Sequence, residues 1–235
     1  MTQERRGQIE SGLAQVHRRI ADACADAGRP ADEVTLVVVT KYFPASDLRL
    51  LAELGVRHVG ENRHQEAVAK HAECRDLGLT WHFVGRLQSN KAAAVGAWAD
   101  VVESVDRARL LRGLSRAAHE RDRTLDVLLQ VSLDAPDGGG GRSGVPPEEA
   151  QALAARVAAA EGLDLCGVMA VAPLGEDPAP AFARLAEVSS QVRSVVPTAT
   201  WISAGMSGDL EQAVKAGATH VRVGTAVLGN RPDPR

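Results

Sequence analysis

Eight short hydrophobic runs, each followed by an amphipathic segment except the last, recur along this 235-residue chain, and no other feature limits its architecture as much. The strand-like runs lie near residues 34–40, 57–60, 80–84, 100–104, 125–131, 163–170, 199–203 and 219–223. Helix-like stretches lie between them, near 46–54, 62–77, 88–98, 106–121, 147–161, 178–195 and 208–216. Several runs, Val34 to Thr40 above all, are continuously apolar, as strands covered on both faces are. Eight such units predict an α/β fold, a single (β/α)8 TIM barrel over residues 1–235. The competing doubly wound sheet would need a GxGxxG turn after its first strand, and none is there. Ahead of the barrel, Ile9, Leu13, Val16, Ile20 and Cys24 recur in steps of three and four. That predicts an extra N-terminal helix within residues 1–28, packed on the barrel by one face. Asp137 to Gly141 reads as a flexible glycine-rich loop after the fifth strand.

Composition removes several classes of partner. Aromatic residues make up 3% of the chain, too few for base-stacking platforms, and the net charge of −3 gives no attraction to nucleic acid or an anionic membrane. Cys24, Cys74 and Cys166 are odd in number and far apart, without metal-type spacing, so free thiols and no bound metal are expected. The charged N-terminus has no apolar leader and no run reaches membrane length, which predicts a soluble, cytoplasmic protein.

A barrel puts its chemistry just past the C-terminal ends of its strands. Lys41 is the first residue that can point out of strand one. A lysine there is either a solvated surface charge or, partly desolvated, an amine able to attack a carbonyl. Ser203 to Asp209 follows strand seven with small residues and hydroxyls, suited to an anion, although Ser207 could equally cap a helix. Gly224 and Thr225 end strand eight, and loops after strands seven and eight form the recurrent phosphate site of such barrels. Arg222, flanked by Val221 and Val223, alternates into the barrel mouth if those valines face the helices. Buried there, it needs an acceptor, which a ligand ring nitrogen or a carboxylate such as Glu61 or Glu103 could supply. His82, with Val84, faces one side of strand three; a hydrogen-bonded core histidine and a ligand-facing one are both consistent with that. A mouth lysine, a phosphate cradle and an arginine suit a phosphorylated aldehyde held as a Schiff base. Pyridoxal 5′-phosphate (PLP) is the commonest such molecule, and a Schiff-base aldolase would use the same set.

The order of the motifs narrows this. Thr40-Lys41, Gly60-Glu61-Asn62-Arg63-His64-Gln65-Glu66 and Trp81-His82-Phe83-Val84-Gly85-Arg86-Leu87-Gln88-Ser89-Asn90-Lys91 come first. Gly167-Val168-Met169-Ala170, Ser203-Ala204-Gly205-Met206-Ser207 and Val221-Arg222-Val223-Gly224-Thr225 follow. Together they resemble the PLP homeostasis family (YggS/PROSC type), itself similar to the barrel domain of bacterial alanine racemase. The resemblance implies a covalent aldimine between PLP and Lys41, with Ser207, Gly224 and Thr225 on the phosphate and Ser203 nearby. It places Arg222 at the pyridine nitrogen and Asn62, His82 and Met169 around the ring. An arginine at that nitrogen disfavours its protonation, which suits a carrier better than a catalyst. The family's role implies PLP homeostasis without turnover, with apo-PLP enzymes as recipients. The alternative is a PLP-dependent racemase. In alanine racemases the second acid/base is a tyrosine from a partner's further domain. No such domain follows strand eight here, and Tyr42 adjoins Lys41, so a monomeric non-enzyme is expected. Two departures stand out: Ser132 where the family often has asparagine, and the glycine-rich loop that puts in question a contact from Arg142-Ser143-Gly144.

Overall fold

The computed structural model describes residues 3–134 and 143–230. Eight parallel strands close into a barrel in sequence order, with the last paired to the first. They are β1 (Thr35–Val39), β2 (His58–Glu61), β3 (Thr80–Phe83), β4 (Val101–Val105), β5 (Leu125–Gln130), β6 (Leu163–Met169), β7 (Trp201–Ser203) and β8 (His220–Val223). Each falls inside or beside a predicted run. The glycine-rich segment and Arg142 lie outside the described residues.

The helices are α1 (Gln3–Asp26), α2 (Ala45–Glu53), α3 (His64–Glu73), α4 (Ala92–Gly96), α5 (Leu111–Glu120), α6 (Ala150–Ala158), α7 (Pro178–Val195), α8 (Leu210–Lys215) and α9 (Thr225–Leu228). Four predicted helices are broken. The 62–77 stretch ends in a separate 3-10 turn, and 88–98, 106–121 and 147–161 begin with one, at Ser89–Lys91, Ala108–Leu110 and Pro147–Glu149. By contrast α7 has a start legible in sequence: Pro178 opens it and the Asp177 carboxylate accepts from the Ala179 N–H at 3.0 Å.

The apolar core lies between the strands and the helices. Leu48, Leu51, Leu110, Leu114 and Phe182 are almost completely buried there, each contributing about 1.5–3 kcal/mol of transfer free energy. Val221 and Val223 belong to this outer layer, so alternation turns Arg222 inward. The barrel interior has a different character. Its apolar cluster is small, Val101, Leu128 and Met169 with Cys166 and Trp201 against it, and Glu103, His82, Ser203, His220 and Arg222 are buried as well.

Helix α1 buries the five apolar residues read from its periodicity and packs along α8 and α9. Gly12 makes the approach to α9 possible, because a Cβ there would stand 2.6 Å from the Val227 carbonyl oxygen and 2.9 Å from that of Ala226. Arg5 adds a link, donating to the Leu228 carbonyl at 3.1 Å and pairing with Asp47 at 2.5 Å. Gly12→Ala is therefore expected to destabilise the fold by about 1–3 kcal/mol. Thermal unfolding checks this, and an unchanged midpoint would show that the helices do not meet this closely.

Candidate functional site

A cavity of about 390 Å3 opens at the C-terminal mouth of the barrel, within the range that small-molecule sites occupy. Lys41, Asn62, Met169, Ser207, Arg222, Gly224 and Thr225 line it, which brings together seven of the nine residues singled out from sequence. Val39, Phe43, Val84 and Val171 give it apolar walls, and Gln130, Met206 and Gly208 complete the lining.

Lys41 is half-buried at the end of β1, where the chain turns sharply. The turn closes when the Phe43 N–H donates to the Thr40 carbonyl at 3.0 Å. Tyr42 takes a positive φ of 72°, an outlier for a bulky side chain. Its N–H donates to Glu66 at 2.6 Å, and the Arg63 guanidinium lies 5.0 Å from its ring centroid. Behind the turn, Lys70 is buried between Glu61 at 2.5 Å and Glu66 at 2.7 Å and donates to the Thr40 carbonyl at 2.8 Å. Burial raises the Glu61 carboxyl, and Lys70 and Thr40 oppose that rise. Glu61 thus belongs to the turn that carries Lys41.

The loop after β7 turns at Gly205, whose φ is +89° and whose added Cβ would meet the Ala213 side chain at 2.7 Å. Helix α8 starts after Asp209, which accepts from the Met206 N–H at 2.6 Å. Ser207 therefore does not cap it, contrary to one reading of the sequence; its side chain is left to the cavity. Across the mouth Gly224 and Thr225 lead into α9, which gives the cavity hydroxyls on two sides.

His82 and Ser203, the other two sequence candidates, are completely buried and do not appear in the cavity lining. They lie in the barrel interior and face Glu103. His82 Nδ1 is 2.7 Å from Glu103 Oε1, and the Ser203 hydroxyl donates to Glu103 Oε2 at 2.6 Å. Arg222 Nη1 donates to Ser203 Oγ at 2.7 Å and Nη2 to the Ala170 carbonyl at 2.8 Å, with Glu103 Oε2 at 3.7 Å. Of the two carboxylates considered for Arg222, Glu103 is its partner. Burial would raise the Glu103 carboxyl, but His82, Arg222 and Ser203 together draw it down to about 2.

Toward the opposite end, His58 Nδ1 is 3.0 Å from His82 Nε2. His220 lies against Trp201 with ring centroids 4.3 Å apart. Burial holds His58 and His220 down to about 4 against an ordinary 6.5. Both are neutral in the folded protein near pH 6, while the unfolded chain takes up their protons, so stability is expected to fall as pH drops from about 6.5 to about 4. Urea midpoints at pH 7 and pH 5 check the sign; a flat profile would contradict the burial of both rings. Glu103 adds a further loss only below the ordinary carboxylate range.

Gln130 was missed. It closes β5 and donates to the Ser143 carbonyl at 2.6 Å. Its inward parity with Asp126 and Leu128 is legible in the sequence, whereas the family resemblance points to Ser132. That residue lines an adjacent cavity of about 280 Å3, which also includes Arg86 and Ser143.

The fold and its site place the chain in a known class: the alanine racemase N-terminal domain matches residues 15–232. A pyridoxal phosphate homeostasis protein of Mycobacterium tuberculosis is 44% identical, over 97% of this chain and 95% of its own length. That of Escherichia coli is 37% identical over 95% and 97%. The chain belongs to the family of pyridoxal phosphate homeostasis proteins. Among solved structures, PipY of Synechococcus elongatus with PLP bound is 37% identical, covering 89% of this chain and all of its own, at a TM-score of 0.77. Alanine racemase of Corynebacterium glutamicum shares the fold at 15% identity and a TM-score of 0.69, and the match spans 62% of that enzyme. Among the described residues no helix is long and apolar enough to cross a membrane.

Proposed function

We propose that this protein binds PLP in the mouth cavity as a Schiff base on Lys41 and holds it for PLP homeostasis without catalytic turnover. The observation that carries this reading is the convergence of Lys41, Arg222 and the Ser207 and Thr225 hydroxyls on one cavity. The donors match the ligand group by group. Lys41 is the amine for the aldehyde, Ser207 and Thr225 offer hydroxyls to the phosphate, and Arg222 is a permanent donor for the ring nitrogen. Asn62 lies on the lysine side, and Met169 with Val39 and Val84 gives apolar contact to a flat ring. Bound PLP supplies an electrophilic aldehyde on an electron-withdrawing ring. Arg222 cannot release its proton to that ring, which limits how far it can act as an electron sink. His82 and Ser203 act from beneath, by holding Arg222.

The racemase alternative needs two acid/base groups, one on each face of the substrate carbon. Among the described lining residues, only Lys41 and Arg222 are titratable, and Arg222 does not exchange its proton near neutrality. This supports custody of the cofactor, and apo-PLP enzymes are its proposed recipients. Borohydride reduction of the PLP-loaded protein, followed by peptide mapping, is expected to place the label on Lys41. A label elsewhere would overturn the assignment, and steady racemisation of alanine or serine would overturn the non-catalytic reading.

A further inference from the structure

The buried polar chain beneath the cavity runs from one end of the barrel to the other, and proton counting gives each bond its direction. Arg222 only donates, so Ser203 Oγ accepts from it at 2.7 Å. The single hydroxyl proton of Ser203 then goes to Glu103 Oε2 at 2.6 Å. Glu103 is a carboxylate, so His82 Nδ1 donates to its other oxygen at 2.7 Å. His82 Nε2 is left facing His58 Nδ1 at 3.0 Å, and His58 lines a cavity of about 380 Å3 at the N-terminal end of the barrel.

We propose that Glu103 is the positioning residue and counter-charge of Arg222, and that through it the His58–His82 pair is coupled to the electrostatics of the cofactor mouth. This rests on the reading that Arg222 meets the cofactor ring. A buried guanidinium needs a partner charge, and Glu103 is the carboxylate that the interior supplies to it. Asp209, in the loop after β7, also attracts it. The other charged or titratable groups on this side are Asp126 on β5, Cys166 on β6 and His220 on β8, with the exposed Asp164 beside Asp126 and Cys166. Ser203 sits between the guanidinium and the carboxylate, so the pair is bridged by one hydroxyl. That hydroxyl sets the angle of the guanidinium, and the carboxylate sets how much positive potential reaches the mouth. A proton added to His58, across the His82 ring from Glu103, offsets the carboxylate charge, which strengthens the positive potential at Arg222.

The test uses the full chain loaded with PLP and reads two quantities: PLP affinity, and the pH midpoint of the visible absorption band. Glu103→Gln removes the counter-charge and leaves Lys41 in place. The band is expected to form, with affinity about tenfold weaker and its midpoint moved to lower pH by about one unit, because positive potential disfavours a protonated Schiff base. Ser203→Ala keeps the charges and removes the bridge. Its affinity is expected to fall about fivefold while the midpoint stays within about 0.3 unit of wild type, since the charges that set it are unchanged. Wild-type affinity and midpoint in Glu103→Gln would overturn the proposal. If that variant does not fold, wild-type affinity in Ser203→Ala would do so. Failure of the underlying reading looks different: the wild-type protein itself would show no band that depends on Lys41.

Discussion

Lys41→Ala is expected to lose the visible absorption band that PLP-loaded wild-type protein shows. Retention of PLP should fall by about 100-fold, which corresponds to about 2.8 kcal/mol. The effect is large because the Schiff base is the one covalent link the site can make, while the hydroxyls and Arg222 contribute reversible hydrogen bonds. Residual weak binding is still expected, since Ser207, Thr225 and Arg222 keep their places around the cavity. The fold should be undisturbed, because the turn is held from behind by Lys70, Glu61 and Glu66. Absorption after gel filtration, with circular dichroism of the same sample, checks both parts. An unchanged band in a folded variant would remove Lys41 from its role.

Gly167→Ala is expected to have the largest effect on stability. A Cβ at this position would fall 1.9 Å from the Trp201 carbonyl oxygen and 2.7 Å from the Trp201 nitrogen. No rotamer change relieves that contact, since the added carbon meets backbone. Strands β6 and β7 would have to separate at Gly167↔Trp201, one pair below Val168↔Ile202 and two below Met169↔Ser203. The loss should reach at least about 3 kcal/mol, near the upper end for overpacking. In a chain of this length that lowers the thermal midpoint by roughly 6–12 °C. A shift under about 2 °C would mean that the two strands do not approach as described. Because Met169 lines the mouth and Ser203 holds Arg222, PLP affinity should fall in the same variant.

The strands were legible as short runs rich in apolar residues, β1 most clearly, and α1 because its five core residues keep helical spacing. The 3-10 openings before α4, α5 and α6 were not. Each is three residues long, and in so short a segment a hydrogen bond to the third rather than the fourth residue leaves no mark on periodicity. Helix α9 has four residues, too few to show a repeat. At the site, alternation turned Arg222 inward, as the structure has it, and set His82 on one side of β3 without saying which. It did not tell their depth, which depends on the stagger of β3, β7 and β8 around the barrel. His82 and Ser203 sit a level below the cavity for that reason, and Gln130 reaches it. The pairing of Arg222 with Glu103 instead of Glu61 was equally out of reach. It required knowing that Lys70, thirty residues from Thr40, returns to claim Glu61.

The closing seam of the barrel also sets an order of events while the chain is being made. Strand β8 hydrogen-bonds to β1, and α1 lies against α9, so the first and last strands of the barrel meet along one edge. Gly224 and Thr225 follow directly on β8. A ribosome-bound chain exposes Lys41 before the later strands, yet it cannot form one wall of the cavity until β8 has emerged. A cavity able to take the proposed cofactor thus forms only when β8 closes the sheet against β1.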